Sequence, residues 1–460
     1  MHRRNFLSSV SLSALPFIGL DIFSKEKKIY SNNPPLFIRK DVGLLSKTDP
    51  VIVSYKKAVT EMKKLPAGDG RSWTKQANIH KDLCPHHTWL FLPWHRCFLY
   101  YFEQICREMS GDPNFALPYW NWANTPKVPS TFWGADNALN DNTRVATQAS
   151  VADSKQIGAS TLDKILSIKS FESFASGRSN SIGQLEGTPH NYIHAGFVRG
   201  HMATLGTAGL DPLFWLHHTN LDRLWSVWNS RGNSNTSDSA WLRTEFKNNF
   251  FDKDGKPVPS ISVSDVLSTG SLGYVYEDMQ ILAPPRLFKT DFMPAENLSG
   301  ANATPQTIKT NSFVSIPLTL NDAVAAKINT IQPSIVNSEN DEIIKLYIDG
   351  LEIPGKRDIY LRVFINCDYA DRFVPDTDPV SVGFINFFED APVNMSGMKM
   401  AKKNSYSFEV TENIKRLLAD DKLDPKNFNI QVLAVPYENR RDSTPLKFDA
   451  VRIEIQNRPQ

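Results

Sequence analysis

His86-His87-Thr88-Trp89-Leu90-Phe91-Leu92-Pro93-Trp94-His95-Arg96 is the stretch on which the fold of this chain turns. It sets three histidines among large apolar residues, and Pro93 marks a helix start with His95 in its opening turn. His80, which closes the segment Trp73–His80, adds a fourth imidazole. A second group comprises His190 and His194 in Pro189-His190-Asn191-Tyr192-Ile193-His194, then His201, then His217 and His218 in Asp211-Pro212-Leu213-Phe214-Trp215-Leu216-His217-His218-Thr219-Asn220-Leu221-Asp222. Apart from His2, every histidine falls between His80 and His218. On a helix, His190 and His194 share a face about one turn apart. Asp211-Pro212 reads as an N-cap and first helical residue, which sets His218 about two turns into an amphipathic helix. Each group can thus offer three imidazoles without a carboxylate or thiolate. By softness alone such sites suit copper, zinc, iron or nickel. Two three-histidine sites favour copper, because three neutral nitrogens stabilise Cu(I), tolerate Cu(II) and leave positions open for oxygen.

Outward from these motifs the chain reads as a globular protein. It has 460 residues, 41% of them hydrophobic and 22% charged, with 51 basic against 49 acidic side chains. That balance gives no case for a nucleic-acid partner or a membrane surface, and no apolar run is long enough for an ordinary spanning helix. Arg3-Arg4-Asn5-Phe6-Leu7 followed by the weakly apolar Ser8–Leu20 resembles a twin-arginine export signal over residues 1–28. The expected location is therefore exported, periplasmic or extracellular. Cys97, Cys106 and Cys367 read as buried hydrophobes. Val51–Lys64, Pro93–Met109 and Pro212–Asn229 carry apolar residues at helical spacing. Leu117–Trp122 reads as irregular and Thr125–Asp153 as surface loop. Beyond residue 235 the texture changes. Residues 291–312, rich in Pro, Asn, Ala and Thr, read as a linker. Ile343–Ile348, Asp358–Ile365, Val380–Phe388, Ser405–Val410, Asn429–Val435 and Phe448–Ile455 alternate like strands of a β-sandwich or jelly roll.

These motifs resemble those of tyrosinases and catechol oxidases, the type-3 dicopper polyphenol oxidases. His86 to Arg96, ending in Glu103, looks like the copper-A signature, and Asp211-Pro212-x-Phe214-x3-His218-x3-Asp222 looks like the copper-B signature. The resemblance implies copper-A ligands His80, His86 and His95, and copper-B ligands His190, His194 and His218. Trp241-Leu242, Phe250-Phe251-Asp252 and Leu272-Gly273-Tyr274-Val275-Tyr276 resemble the segment that follows the catalytic domain in plant-type enzymes. Lys447-Phe448-Asp449 resembles their C-terminal signature, with Ala450 where valine is usual. The implied fold is multidomain α+β. A four-helix-bundle dicopper catalytic domain (30–232) leads to a middle segment (235–290), the linker (291–312) and a β-sandwich or jelly-roll-like C-terminal domain (313–460) that can cover the active-site mouth.

The implied chemistry is copper-dependent oxidation of small phenols by O2, with monophenols hydroxylated ortho to their oxygen and o-diphenols oxidised to o-quinones. Two copper ions can deliver two electrons to oxygen together, where one would give a radical-prone single-electron step. Hydroxylation also requires loss of a phenolic proton whose unperturbed pKa is about 10. Glu186 and Asn191 match residues that hold a water for that task in the family. Leu205 matches the position of a gate above copper B. Cys84, two residues before His86, matches a cysteine joined to that histidine by a thioether bond. A catechol oxidase confined to diphenols, a haemocyanin-like oxygen carrier and, more distantly, a zinc hydrolase are the alternatives.

Overall fold

Apolar residues at helical spacing build four long helices: α1 (Pro50–Lys64), α2 (Trp73–Leu83), α3 (Phe91–Ser110) and α4 (Pro212–Ser230). The computed structural model describes residues 36–178, 180–279, 293–330, 342–355, 357–388, 402–438 and 445–457. The export signal expected over 1–28 lies outside them. The start of α4 follows from its sequence: the Asp211 carboxylate accepts from Leu213 N and Pro212 occupies the first turn. α3 begins earlier than Pro93 suggested, at Phe91, without a side-chain cap, and ends where Gly111 turns left-handed at φ +68°. Tyr55 on α1 donates to Pro212 O at 2.8 Å, and Phe102 of α3 stacks on Trp215 of α4 with ring centroids 3.4 Å apart. Such an aromatic pair adds about 0.5–1.5 kcal/mol beyond the area it buries.

The segment carrying His190 and His194 is not the α-helix its spacing suggested. It winds as π-helical turns, Glu186–His190 and Tyr192–Val198. Asn191 N donates to Glu186 O, and Arg199 N to His194 O at 3.0 Å. Pro189 lies inside the first turn and has no N–H to give to the carbonyl four residues back, which favours the wider winding.

Buried charge locks α3 to α4. Asp222, one turn after His218, accepts from Arg96 Nε at 2.5 Å, Tyr274 Oη at 2.6 Å and Tyr276 Oη at 2.5 Å. Arg39 reaches the same carboxylate at 3.4 Å and Glu103 at 2.8 Å. Two strands bring these groups in, since β1 (Phe37–Arg39) pairs in parallel with β3 (Tyr274–Tyr276).

The second half is strand-rich, as its alternation suggested. In chain order it contains β4 (Met293–Asn302), β5 (Gln306–Ile308), β6 (Phe313–Pro317), β7 (Thr319–Leu320), β8 (Glu342–Glu352), β9 (Ile359–Ile365), β10 (Ser381–Ile385), β11 (Lys403–Glu409), β12 (Asn429–Pro436), β13 (Leu446–Phe448) and β14 (Ala450–Asn457). One sheet runs β10-β9-β12-β6. A second runs β2-β11-β8-β14-β4-β7, where β2 (Ser181–Ile182) comes from the helical half and pairs in parallel with β11. The expected linker over 291–312 is corrected here: β4 pairs antiparallel with β14, and β5 with β13. Backbone ladder bonds hold a polar strand without requiring apolar alternation. From Phe37 onward the described chain is one compact unit, and its main apolar core runs through both halves, beside a small cluster of Tyr119, Tyr274 and Tyr276. Among the described residues no helix is long and apolar enough to cross a membrane.

Candidate metal centre

α2 contributes His80, the turn after it His86, α3 His95, the π-helical segment His190 and His194, and α4 His218. All six are buried. One donor atom each from His80, Cys84, His86 and His95 lies within 4.8 Å of the others, and the same holds for His190, His194, His217 and His218. The groups adjoin: His95 stacks on His218 at 4.1 Å between centroids, and His86 and His190 are 5.7 Å apart. Folding thus joins what the sequence separates.

The hydrogen bonds around the rings fix how they face. Nδ1 of His80 meets Leu205 O at 3.2 Å, that of His95 meets Phe91 O at 2.8 Å, and that of His194 meets Met202 O at 2.8 Å. Nδ1 of His190 meets Asn191 Oδ1 at 2.8 Å. An oxygen acceptor requires N–H on Nδ1, so these four rings present Nε2 as a lone-pair donor. Nε2 of His80 and of His190 is buried with no hydrogen-bond partner among the described residues. Leaving such a group unpaired costs about 1–3 kcal/mol, and a bound cation would satisfy it. Burial pushes His80 down to about 4 and His190 to about 3, and holds His86, His95, His194 and His218 well below the usual imidazole range. Neutral imidazole is the ligating form, so the residues fit a pair of copper ions.

Glu186 and Asn191 sit beside this centre and are both buried. Glu186 Oε1 accepts from His87 N at 2.9 Å, and its other oxygen accepts from the Ser176 hydroxyl. Asn191 Nδ2 donates to Asn386 O at 2.8 Å, which orients its oxygen toward His190. His87, at φ +63°, brings its Nε2 to 3.8 Å from Glu186 Oε1, and His201 pairs with Asp141 at 2.6 Å. Neither His87 nor His217 is a surface residue. Cys84 Sγ lies 3.5 Å from His95 Nε2 and 3.9 Å from His86 Nε2. Burial pushes its thiol up. Leu205 is half-buried against the core, and its carbonyl anchors His80.

The second half reaches this centre through the residues after β10. Phe388 stacks on His194 with centroids 4.0 Å apart and 15° between planes, and meets His86 and His190 at 5.6 and 5.5 Å. Asn386 N donates to Gly187 O at 2.9 Å, its Nδ2 donates to Gln156 Oε1 at 2.7 Å, and Thr188 Oγ1 donates to Phe384 O at 3.0 Å. Nothing local in the sequence marks Phe388, Asn386 or Ser176 as neighbours of the histidines.

Family models agree with this layout. One described as the common central domain of tyrosinase matches residues 69–149 and 130–231, and one described as the polyphenol oxidase middle domain matches residues 235–283. The chloroplastic (+)-larreatricin hydroxylase of Larrea tridentata is 32% identical over 411 residues, covering 77% of this chain and 68% of that protein. A chloroplastic polyphenol oxidase of Vitis vinifera is 29% identical over 453 residues, covering 85% and 72%. The structure of a latent apple tyrosinase superposes with a TM-score of 0.71 at 23% identity, covering 92% of this chain and 98% of that one.

Proposed function

The chain belongs to the type-3 copper family of tyrosinases and polyphenol oxidases, and from that premise we propose that it uses O2 both to hydroxylate monophenols at the ortho position and to oxidise o-diphenols to o-quinones. The observation that carries this reading is the pair of adjoining, buried, neutral imidazole groups. His80, His86 and His95 would hold one copper, and His190, His194 and His218 the other. When bound, the pair supplies the two-electron chemistry of oxygen.

The chain's own residues supply orientation and proton handling. Leu205 O, Phe91 O, Met202 O and Asn191 Oδ1 hold four ligand rings at fixed angles, as partners of ligating imidazoles do. Glu186 accepts from His87 N and from the Ser176 hydroxyl, which fixes its carboxylate beside the histidines. Glu186 and Asn191 would orient a water to take the phenolic proton. Phe388 would keep the uncleaved chain latent by occupying the face where an aromatic substrate must lie, and Leu205 would border the same mouth. A Cys84–His86 thioether would lock one ligand ring further; an intact mass two hydrogens short of the sequence mass, without disulfide reactivity, is its expected signature. Export through the twin-arginine route would follow copper loading, and replacing Arg3 and Arg4 by lysine should retain the protein inside the cell.

The deciding experiment is oxygen uptake by the copper-loaded chain with tyrosine, L-DOPA and catechol, before and after cleavage at a protease site engineered between residues 280 and 292. Uptake with all three, higher once the cleaved halves have been separated with mild detergent, is the expected result. Uptake with catechol and L-DOPA alone would make it a catechol oxidase, and reversible oxygen binding without quinone would make it a carrier.

A further inference from the structure

His217 is a fourth imidazole in the second group, and the ligand set described above does not use it. It is fully buried. Its ring lies parallel to that of His190 at 5.4 Å and 18°, and meets His194 edge-on at 4.8 Å. One of its donor atoms lies within 4.8 Å of those of His190, His194 and His218. The two ring nitrogens differ in surroundings. Trp122 Nε1 donates to Nδ1 at 3.1 Å, whereas Nε2 is buried with no hydrogen-bond partner among the described residues.

The Trp122 contact determines the tautomer. An indole N–H can only donate, so Nδ1 of His217 must accept. The proton of the neutral ring is then on Nε2. This is the reverse of His190 and His194, whose Nδ1 atoms face oxygen acceptors and so carry the proton. A nitrogen bearing a proton has no lone pair to give a metal. Within the second group, then, His190 and His194 present a lone pair at Nε2 whereas His217 presents an N–H there.

We propose that His217 is a catalytic hydrogen-bond donor of this centre and not a copper ligand: Trp122 holds its ring so that Nε2–H is offered to the anionic atom of a ligand in the second histidine group, a phenolate oxygen or a small inorganic anion. Trp122 is the positioning residue. This rests on the dicopper reading given above and adds to it how the bound anion is stabilised. A buried donor aimed where negative charge collects acts without reorganisation, and a hydrogen bond to a charged partner exceeds one between neutral groups.

The test uses the full-length, copper-loaded chain, with azide as the anionic probe, and reads copper per chain and the azide dissociation constant of the oxidised form. His217→Phe should keep both copper ions and bind azide about tenfold more weakly, the loss of one charge-assisted bond. Trp122→Phe should keep both ions and weaken azide by a smaller factor, because the ring is freed to exchange tautomers. The nitrogen-15 spectrum of the unsubstituted, diamagnetic Cu(I) form should show Nε2 of His217 protonated and Nδ1 bare, a readout that survives if either variant fails to fold. Loss of one copper in His217→Phe, unchanged azide affinity with copper retained, or a proton on Nδ1 would each overturn the proposal. Fewer than two copper ions in the parent chain would instead overturn the dicopper reading.

Discussion

At the residue scale, Asp222 shows what holds the centre together. Its carboxylate binds Arg96, the neighbour of His95, and lies one turn beyond His218, so the two histidine-bearing helices are registered through one buried charge. Removing one partner of a buried ion pair costs about 3–5 kcal/mol, because the other charge remains. Asp222→Asn should lower stability by that order, read as a fall in melting temperature. Burial alone would raise the Asp222 pKa, but Arg96 and Arg39 outweigh it and hold the carboxyl below its ordinary value. A carboxyl depressed in the folded state contributes stability that is full above its unfolded pKa of about 4 and is lost as pH falls through the folded value. Melting temperatures between pH 5 and 2 should therefore fall more steeply in the parent than in Asp222→Asn. Glu186→Gln and Asn191→Gly should each depress tyrosine turnover more than catechol turnover, by about tenfold or more if water activation of the phenol is lost; equal losses would assign both residues to packing. The two histidine groups were legible because spacing within a helix or turn is local information. The partners of Glu186 and Asn191 were not, since Ser176 and Asn386 reach them only through the tertiary fold.

At the element scale, strongly periodic helices and alternating strands were readable, and the departures have local causes. Four-residue spacing cannot distinguish an α-turn from a π-turn, and only Pro189, by lacking its N–H, pointed to the wider one. β4 was read as linker because the Pro, Asn, Ala and Thr of its stretch suit a loop; the antiparallel pairing with β14 makes it a strand. The segment from Phe384 to Phe388 acts as one element against the π-helical turn that carries His190, through Thr188, Gly187 and Asn191. Phe388→Ala should raise catechol oxidation in the uncleaved chain several-fold and leave copper content unchanged. Unaltered turnover would mean that Phe388 does not restrict access to the histidines.

At the scale of the whole molecule, the division into an α-rich front and a β-rich back was readable from texture, but the main core beneath both was not, because it depends on contacts between distant segments. Copper should be a large part of the front half's stability, since an ion bound only by the native state stabilises it by mass action. Chelation should lower the melting temperature by several degrees, and re-addition should restore it; coincident melts would mean that the metal-free site is already fully held by packing. The pairing of β2 with β11 has a consequence for any processing of this protein. A protease can sever the peptide link between the halves and still leave them zipped along a shared sheet edge, so nicking and unveiling are separate events. A nicked sample that still migrates as one particle should stay quiet until mild detergent or dilute denaturant peels that seam apart.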